Sequence, residues 1–323
     1  YESKKLMIAT GSAPVILPLP GVQEALGKQI LTNREILALD KIPERLIVIG
    51  GGVIGLEMAC YYQAVGSQVE IVEMLDHIGG DLDPEIGKRL QQVYERMGMI
   101  FHLSSSVTRL EGGSVYFQRD GREEQVSGDY VLMSVGRKPV TSGFGLENLP
   151  VEIERGAITV NPHMETSCPG VYAVGDVVGG FMLAHAASRE GEVAVNHILG
   201  IQDHMSARAM PSVIYTDPEA ASVGQTKEAL EKAGIAYLEV ELPMGWSGRY
   251  QAETERGNGL CRLLLGKENK ELLGCHLLTP YASEIILAFG VMIEEKMTLE
   301  AMKRVIFPHP TIGEIVREAL FQL

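Results

Sequence analysis

Residues 45–57 read Arg-Leu-Ile-Val-Ile-Gly-Gly-Gly-Val-Ile-Gly-Leu-Glu, and the fold follows from how that stretch has to be laid out. Leu46–Ile49 is a short apolar run with the pattern of a strand. Gly50, Gly51, Gly52, Val53, Ile54 and Gly55 then form a turn that leads into a helix expected over Val53–Val65. Gly50 permits the tight turn, Gly52 lets the backbone approach a pyrophosphate, and Gly55 lets helix and strand pack closely. The unpaired N–H groups at the helix start would face the phosphates. Beyond Gly66, a strand over Gln68–Val72 ends at Glu73, about where an acid would accept a ribose 2′-OH and repel a 2′-phosphate. NAD is therefore expected rather than NADP. The competing reading is a structural glycine turn in some other α/β fold.

Working outward, a helix is expected over Pro84–Met97, alternating strands over Val107–Val126 with turns at Gly112-Gly113 and Asp120-Gly121, and a strand over Val131–Val135. These complete a βαβ domain from about Pro43 to Gly136. Strands over Leu6–Ala9, Ala157–Val160 and Val171–Val174 and a helix over Ala184–Leu199 flank a linker at Met205–Pro211. After it, strands and helices alternate in what reads as a separate α+β domain, ending in a helix over Ile312–Leu320. A length of 323 residues suits about two domains, or three small ones.

Hydrophobic residues are 46% and charged residues 22% of the chain, which excludes disorder and fibrous repeats. No apolar run approaches the roughly 20 residues of a membrane span. The net charge of −14 disfavours nucleic acid as a general partner, though backbone N–H groups can still hold a phosphorylated cofactor. Cys60, Cys168, Cys261 and Cys275 are far apart and lack metal spacing, so a reducing, cytoplasmic compartment is expected. The opening Tyr1-Glu2-Ser3-Lys4-Lys5 resembles neither a signal peptide nor a translation start, so the chain reads as a fragment.

Two further constellations carry chemistry. In Thr166–Asp176 the apolar strand Val171–Val174 delivers Gly175-Asp176 at its carboxyl end, where ligands bind in parallel sheets; the Gly-Asp pair also reads as a plain turn. Phe307-Pro308-His309-Pro310-Thr311 is followed by Glu314 in the first turns of a helix. Prolines fix the backbone around His309, and a His oriented by a carboxylate suits general acid–base work; a solvated loop His is the alternative.

Taken in order, Ala9–Ser12, Gly50–Ala59, Val135–Pro139, Val171–Asp176, Met182–Ala187, Thr216–Glu219 and His309–Thr311 with Glu314 resemble the pyridine-nucleotide disulfide oxidoreductases, most closely the members that oxidise dihydrolipoamide. The resemblance implies a Rossmann-like NAD domain inserted in an FAD domain, followed by an α+β dimerisation domain. It divides the chain at 1–42 (end of a first FAD segment), 43–138 (NAD), 139–208 (second FAD segment) and 209–323 (dimerisation). It implies FAD contacts from Thr10, Gly11, Ser12 and Asp176, and from Met182, Leu183, Ala184 and His185 through backbone N–H groups. NAD would meet Gly50–Gly55, Glu57, Glu73, Val107 and Gly136. His309 would deprotonate a dihydrolipoamide thiol, with Glu314 holding its ring, in a homodimer where it serves the other subunit. The lipoamide would belong to a 2-oxo acid dehydrogenase or glycine cleavage complex.

The family's usual His-x-His-Pro-Thr-x-Ser-Glu has Phe307 for its first His and Gly313 for its Ser here, while the base and its Glu remain. The family also opens with an FAD-binding βαβ unit and a redox cysteine pair four residues apart, which these residues do not contain. The expectation is a fragment of a dihydrolipoamide-oxidising enzyme, inactive alone. The alternatives are a disulfide or mercuric reductase and an inert NAD-binding dimerisation module.

Overall fold

Leu46, Ile47, Val48 and Ile49 are all buried because strand Arg45–Ile49 lies in the middle of a parallel sheet. Sheet neighbours supply its hydrogen bonds and apolar groups cover both faces, which is why the run is continuous rather than alternating. The computed structural model describes residues 3–255 and 257–323. The sheet runs in the order Ile30–Leu31, Tyr130–Met133, Arg45–Ile49, Gln68–Val72, Ile100–His102, with every pairing parallel. Helix Val53–Ala64 follows the glycine turn and ends before Gly66, whose φ of 106° is the left-handed conformation a helix stop favours. Helix Pro84–Arg96 starts from Asp83, whose Oδ1 accepts the N–H groups of Glu85 and Ile86.

The expected strands and helices of this region are present, with ends shifted by a residue or two. The hairpins fall where they were read: Ser106–Glu111, Ser114–Arg119 and Arg122–Ser127 form an antiparallel sheet. Asp120 and Gly121 between the last two have φ of 51° and 75°, the positive values a type I′ turn requires at both central residues.

The chain divides into two units, one of residues 1–15 with 136–207 and one of residues 16–135 with 208–323. This corrects the boundary expected at residue 43. Strand Ile30–Leu31 pairs with Tyr130–Met133, and Leu31 and Ile36 are buried with Leu46 and Val48, so residues 16–42 belong with the dinucleotide-type sheet. At the other end, Arg137–Pro139 pairs antiparallel with Ser12–Pro14, so residues 136–138 leave that sheet for the other unit.

Within the larger unit, residues 208–323 form an antiparallel sheet in the order Ser212–Ile214, Ala220–Gly224, Leu272–Leu278, Leu260–Gly266, Tyr237–Pro243. Helices Ala282–Glu294 and Ile315–Leu320 bury Ile286, Phe289, Ile315 and Leu320 against it. The expected final helix begins as a 3₁₀ turn over Ile312–Glu314 before becoming α-helical. Strand Ala220–Gly224 and helices Gly248–Glu253 and Leu299–Lys303 carried no readable period in the sequence.

Arg262 ties this sheet to the start of helix Pro84–Arg96. It is 7% exposed, and its Nη1 donates to both carboxylate oxygens of the fully buried Asp83 at 2.8 and 2.7 Å. Its Nη2 donates to Glu241 Oε2 at 2.6 Å, and its Nε lies 3.2 Å from Glu239 Oε1.

In the smaller unit, Leu6–Ile8 pairs parallel with Val171–Ala173, and helix Ala184–Ile198 buries Val193 and Ala194 with Tyr172 and Val174. Among the described residues, no helix is long and apolar enough to cross a membrane.

Arg262→Met removes one partner of a buried ion pair and leaves Asp83 uncompensated, so it should lower unfolding stability by about 3–5 kcal/mol in urea titration. A loss below about 1 kcal/mol would show that Asp83 does not depend on Arg262.

Candidate functional site

The glycine turn shows which positions serve the fold and which serve a ligand. A Cβ at Gly50, where φ is 102°, would stand 2.5 Å from the carbonyl oxygen of Ser134. One at Gly55 would stand 2.0 Å from the carbonyl oxygen of Gly50. Gly52 differs: nothing lies within 4 Å of its Cβ position. It is also the N-cap of helix Val53–Ala64, which has no side-chain cap and no acid in its first turn. An open surface over uncapped N–H groups is the cradle an anion requires.

Glu73 is brought to this loop, as the sequence reading expected. Its Oε2 accepts the N–H of Gly51 at 2.6 Å and its Oε1 that of Leu75 at 2.7 Å. The Gly51 carbonyl in turn accepts the N–H of Gly79 at 2.8 Å. Glu57, one turn into the helix, accepts the N–H of Tyr215 at 2.9 Å. Val107 sits on strand Ser106–Glu111, half-buried against the cluster that contains Ile49, Val72 and Phe117. Gly136, expected with the nucleotide loop, lies instead in the smaller unit, where its carbonyl accepts the N–H of Val15 at 3.0 Å.

In the smaller unit the structure gathers Thr10, Gly11, Ser12 and Asp176. Thr10 Oγ1 donates to the Val140 carbonyl at 2.7 Å, and the Gly11 carbonyl accepts the Val140 N–H at 2.9 Å. Ser12 Oγ hydrogen-bonds Asp176 Oδ2. Arg137 completes the group: its Nε donates to Ser12 Oγ at 2.7 Å, its Nη2 to the Ser12 carbonyl at 2.9 Å, and its Nε lies 3.8 Å from Asp176. Sequence reasoning did not name Arg137 as a site residue, although Gly136-Arg137-Lys138-Pro139 was among the informative stretches. Met182, with φ of 48°, and Leu183 lead into helix Ala184–Ile198, which again has no side-chain cap and no acid in its first turn. Ala184 and His185 are its first residues.

His309 and Glu314 meet as expected. His309 Nδ1 is 2.7 Å from Glu314 Oε1, and Glu314 Oε2 accepts the N–H of Thr311 at 2.8 Å. The His309 side chain is 80% exposed and that of Glu314 is 21% exposed. The Thr311 N–H, and after it His309, hold the Glu314 carboxyl below its ordinary value. A depressed carboxylate contributes its full stabilisation above the ordinary value and loses it as pH falls through the depressed one. Thr311 Oγ1 donates to the Pro308 carbonyl at 2.9 Å, and buried Ser247 donates to the Thr311 carbonyl at 3.2 Å. Phe307, in the place of the familiar His, packs on the apolar core of the C-terminal sheet. A neutral imidazole that donates from Nδ1 keeps its lone pair on Nε2, free to accept a proton. Among the described residues, no group of His, Cys, Asp and Glu could hold a metal ion.

Comparison with known proteins adds to this geometry. Residues 1–191 match the family described as pyridine nucleotide-disulphide oxidoreductase, and residues 210–320 match its dimerisation domain. Mitochondrial dihydrolipoyl dehydrogenase of Cricetulus griseus is 38% identical over 326 residues, covering 98% of this chain and 63% of that protein. The Homo sapiens protein of the same name is 37% identical over 327 residues, covering 98% and 64%. The chain thus spans somewhat less than two thirds of these relatives. Among solved structures, LpdA from Mycobacterium tuberculosis matches with a TM-score of 0.88 at 30% identity, over 100% of this chain and 70% of that one. The flavoprotein disulfide reductase RclA from Escherichia coli matches with a TM-score of 0.90 over 99% and 73%; at 23% identity it bears on the fold alone.

The glycine geometry separates two substitutions. Gly55→Ala forces backbone apart and should cost at least about 2 kcal/mol by chemical denaturation. Gly52→Ala meets open space and should cost less than about 1 kcal/mol. Equal losses would contradict the division of roles.

Proposed function

Because the chain belongs to the pyridine nucleotide-disulphide oxidoreductase family, we propose that the protein carrying it oxidises dihydrolipoamide and reduces NAD, with a redox disulfide and FAD between them. The observation that carries this reading is the His309–Glu314 pair at 2.7 Å in an exposed loop. It is a base with its proton-accepting nitrogen turned away from its anchor.

Bound FAD and NAD supply the electron and hydride transfer. The rest falls to side chains and backbone. His309 Nε2 takes the proton of a dihydrolipoamide thiol, and the negative Glu314 stabilises the imidazolium that forms. Gly50–Gly55 and the start of helix Val53–Ala64 receive the NAD pyrophosphate, Glu73 accepts from the ribose, and Glu57 and Val107 flank the nicotinamide side. Thr10, Gly11 and Ser12 lie against FAD, Asp176 meets its ribityl hydroxyl or pyrophosphate region, and Met182–His185 offer N–H groups to the ring. In balance, dihydrolipoamide gives up two electrons and two protons; NAD takes a hydride, and one proton leaves to solvent.

The lipoamide belongs to a 2-oxo acid dehydrogenase or glycine cleavage complex, and the protein acts as a homodimer through residues 210–320, the stretch matched to a dimerisation domain. Glu73 opposes the glutathione- and mercuric-reductase reading, because those enzymes take NADPH and a 2′-phosphate would meet a carboxylate. Cys60, Cys168, Cys261 and Cys275 are free, and burial pushes the Cys261 thiol up to about 12. None of the four has a cysteine partner a few residues away to form a redox pair, which favours an inert NAD-binding module as the behaviour of these residues by themselves. Free thiols also suit a cytoplasmic setting.

In the native polypeptide, His309→Gln should lower kcat for dihydrolipoamide oxidation by about 10²–10⁴-fold. Glu314→Gln should lower it less, with NADH affinity unchanged in both. Turnover within about threefold of native in His309→Gln would remove His309 from the mechanism.

A further inference from the structure

Helix Ala184–Ile198 holds a buried acid that the flavin reading leaves unused. Glu190 is 8% exposed, and its Oε2 accepts the N–H of Gly175 at 2.6 Å. Gly175 is in the left-handed region with φ of 77°, and a Cβ there would meet the Ala187 methyl at 3.4 Å. Ala187 and Glu190 are three residues apart on one helix face, so that face lies directly on the turn. The next residue along the turn is Asp176, whose carboxylate is bound to Ser12 and lies 3.8 Å from Arg137.

A carboxylate is costly to bury and is kept where its charge meets a donor. Here the donor is the backbone N–H immediately before the acid that would contact the ligand. Burial, and after it the charge of Asp176, push the Glu190 carboxyl above its ordinary value, while the Gly175 N–H pulls the other way. The same helix begins at Ala184 without a side-chain cap. A single side chain therefore joins the turn that carries Asp176 to the helix whose start has no side-chain cap.

We propose that Glu190 is a positioning residue for the flavin, holding Gly175 so that Asp176 and the start of helix Ala184–Ile198 meet the ligand as one rigid unit. This rests on the reading of Asp176 and Met182–His185 as flavin contacts. Preorganisation of this kind acts on affinity, since the turn would otherwise have to be ordered on binding.

The test is FAD added to the flavin-stripped native polypeptide, followed by quenching of flavin fluorescence. Glu190→Ala should weaken FAD binding by about 10–100-fold, the scale of one hydrogen bond to a charged group. Glu190→Asp keeps the charge but is one methylene too short to reach Gly175, and should weaken binding at least about tenfold. Glu190→Gln keeps an acceptor at the right reach and should bind within about threefold of native. Should Glu190→Ala fail to fold, the Asp and Gln variants decide the matter between them. Native affinity in Glu190→Asp, or a Gln variant as weak as the Asp one, overturns the proposal. Asp176→Ala separates the two levels. If it weakens FAD binding while the Glu190 variants do not, only the positioning role fails; if it too binds natively, the flavin reading fails.

Discussion

Gly55 has no side chain because the carbonyl of Gly50 stands where its Cβ would be, 2.0 Å away. That close approach seats helix Val53–Ala64 on the central strand, and the rest of the dinucleotide-type sheet follows. With the helix seated, its first N–H groups stand at the carboxyl end of Arg45–Ile49, and Gly52 leaves the space in front of them open. Glu73 then fastens the loop through the Gly51 N–H, and the Gly79 N–H fastens the next peptide through the Gly51 carbonyl. A turn held this way presents its N–H groups without paying for order when a phosphate arrives.

The base loop is built on the same logic. His309 is exposed, so its ring would be free to rotate, but Glu314 is held by the Thr311 N–H and thereby fixes Nδ1. Thr311 is itself bound to Pro308 and Ser247. The Glu314 side chain that holds the ring is thus anchored to the backbone at Thr311, and His309 is held through Nδ1.

Much of this was readable because it is local. The apolar run at Leu46–Ile49, the glycines after it and the Asp120-Gly121 turn each declare their conformation within a few residues. His309 and Glu314 are also close in sequence, and Glu73 lies at the end of a strand that periodicity identifies. Strand Ile30–Leu31 is too short to show a period, which is why the boundary was placed at residue 43. Ala220–Gly224 is a run of mostly small residues that becomes a strand because Ser212–Ile214 and Leu272–Leu278 lie on either side of it. Arg137 reaches Ser12 across 125 positions, and Asp83 reaches Arg262 across 179. No local pattern encodes such pairs; tertiary packing does.

The proposed path carries electrons from dihydrolipoamide through a redox disulfide and a flavin to NAD. The most direct measurement is an anaerobic visible titration of the native polypeptide with dihydrolipoamide. On the proposed path a flavin band bleaches with the dithiol and returns on adding NAD but not NADP. A flavin band unmoved by dihydrolipoamide, or restored equally well by NADP, would contradict it.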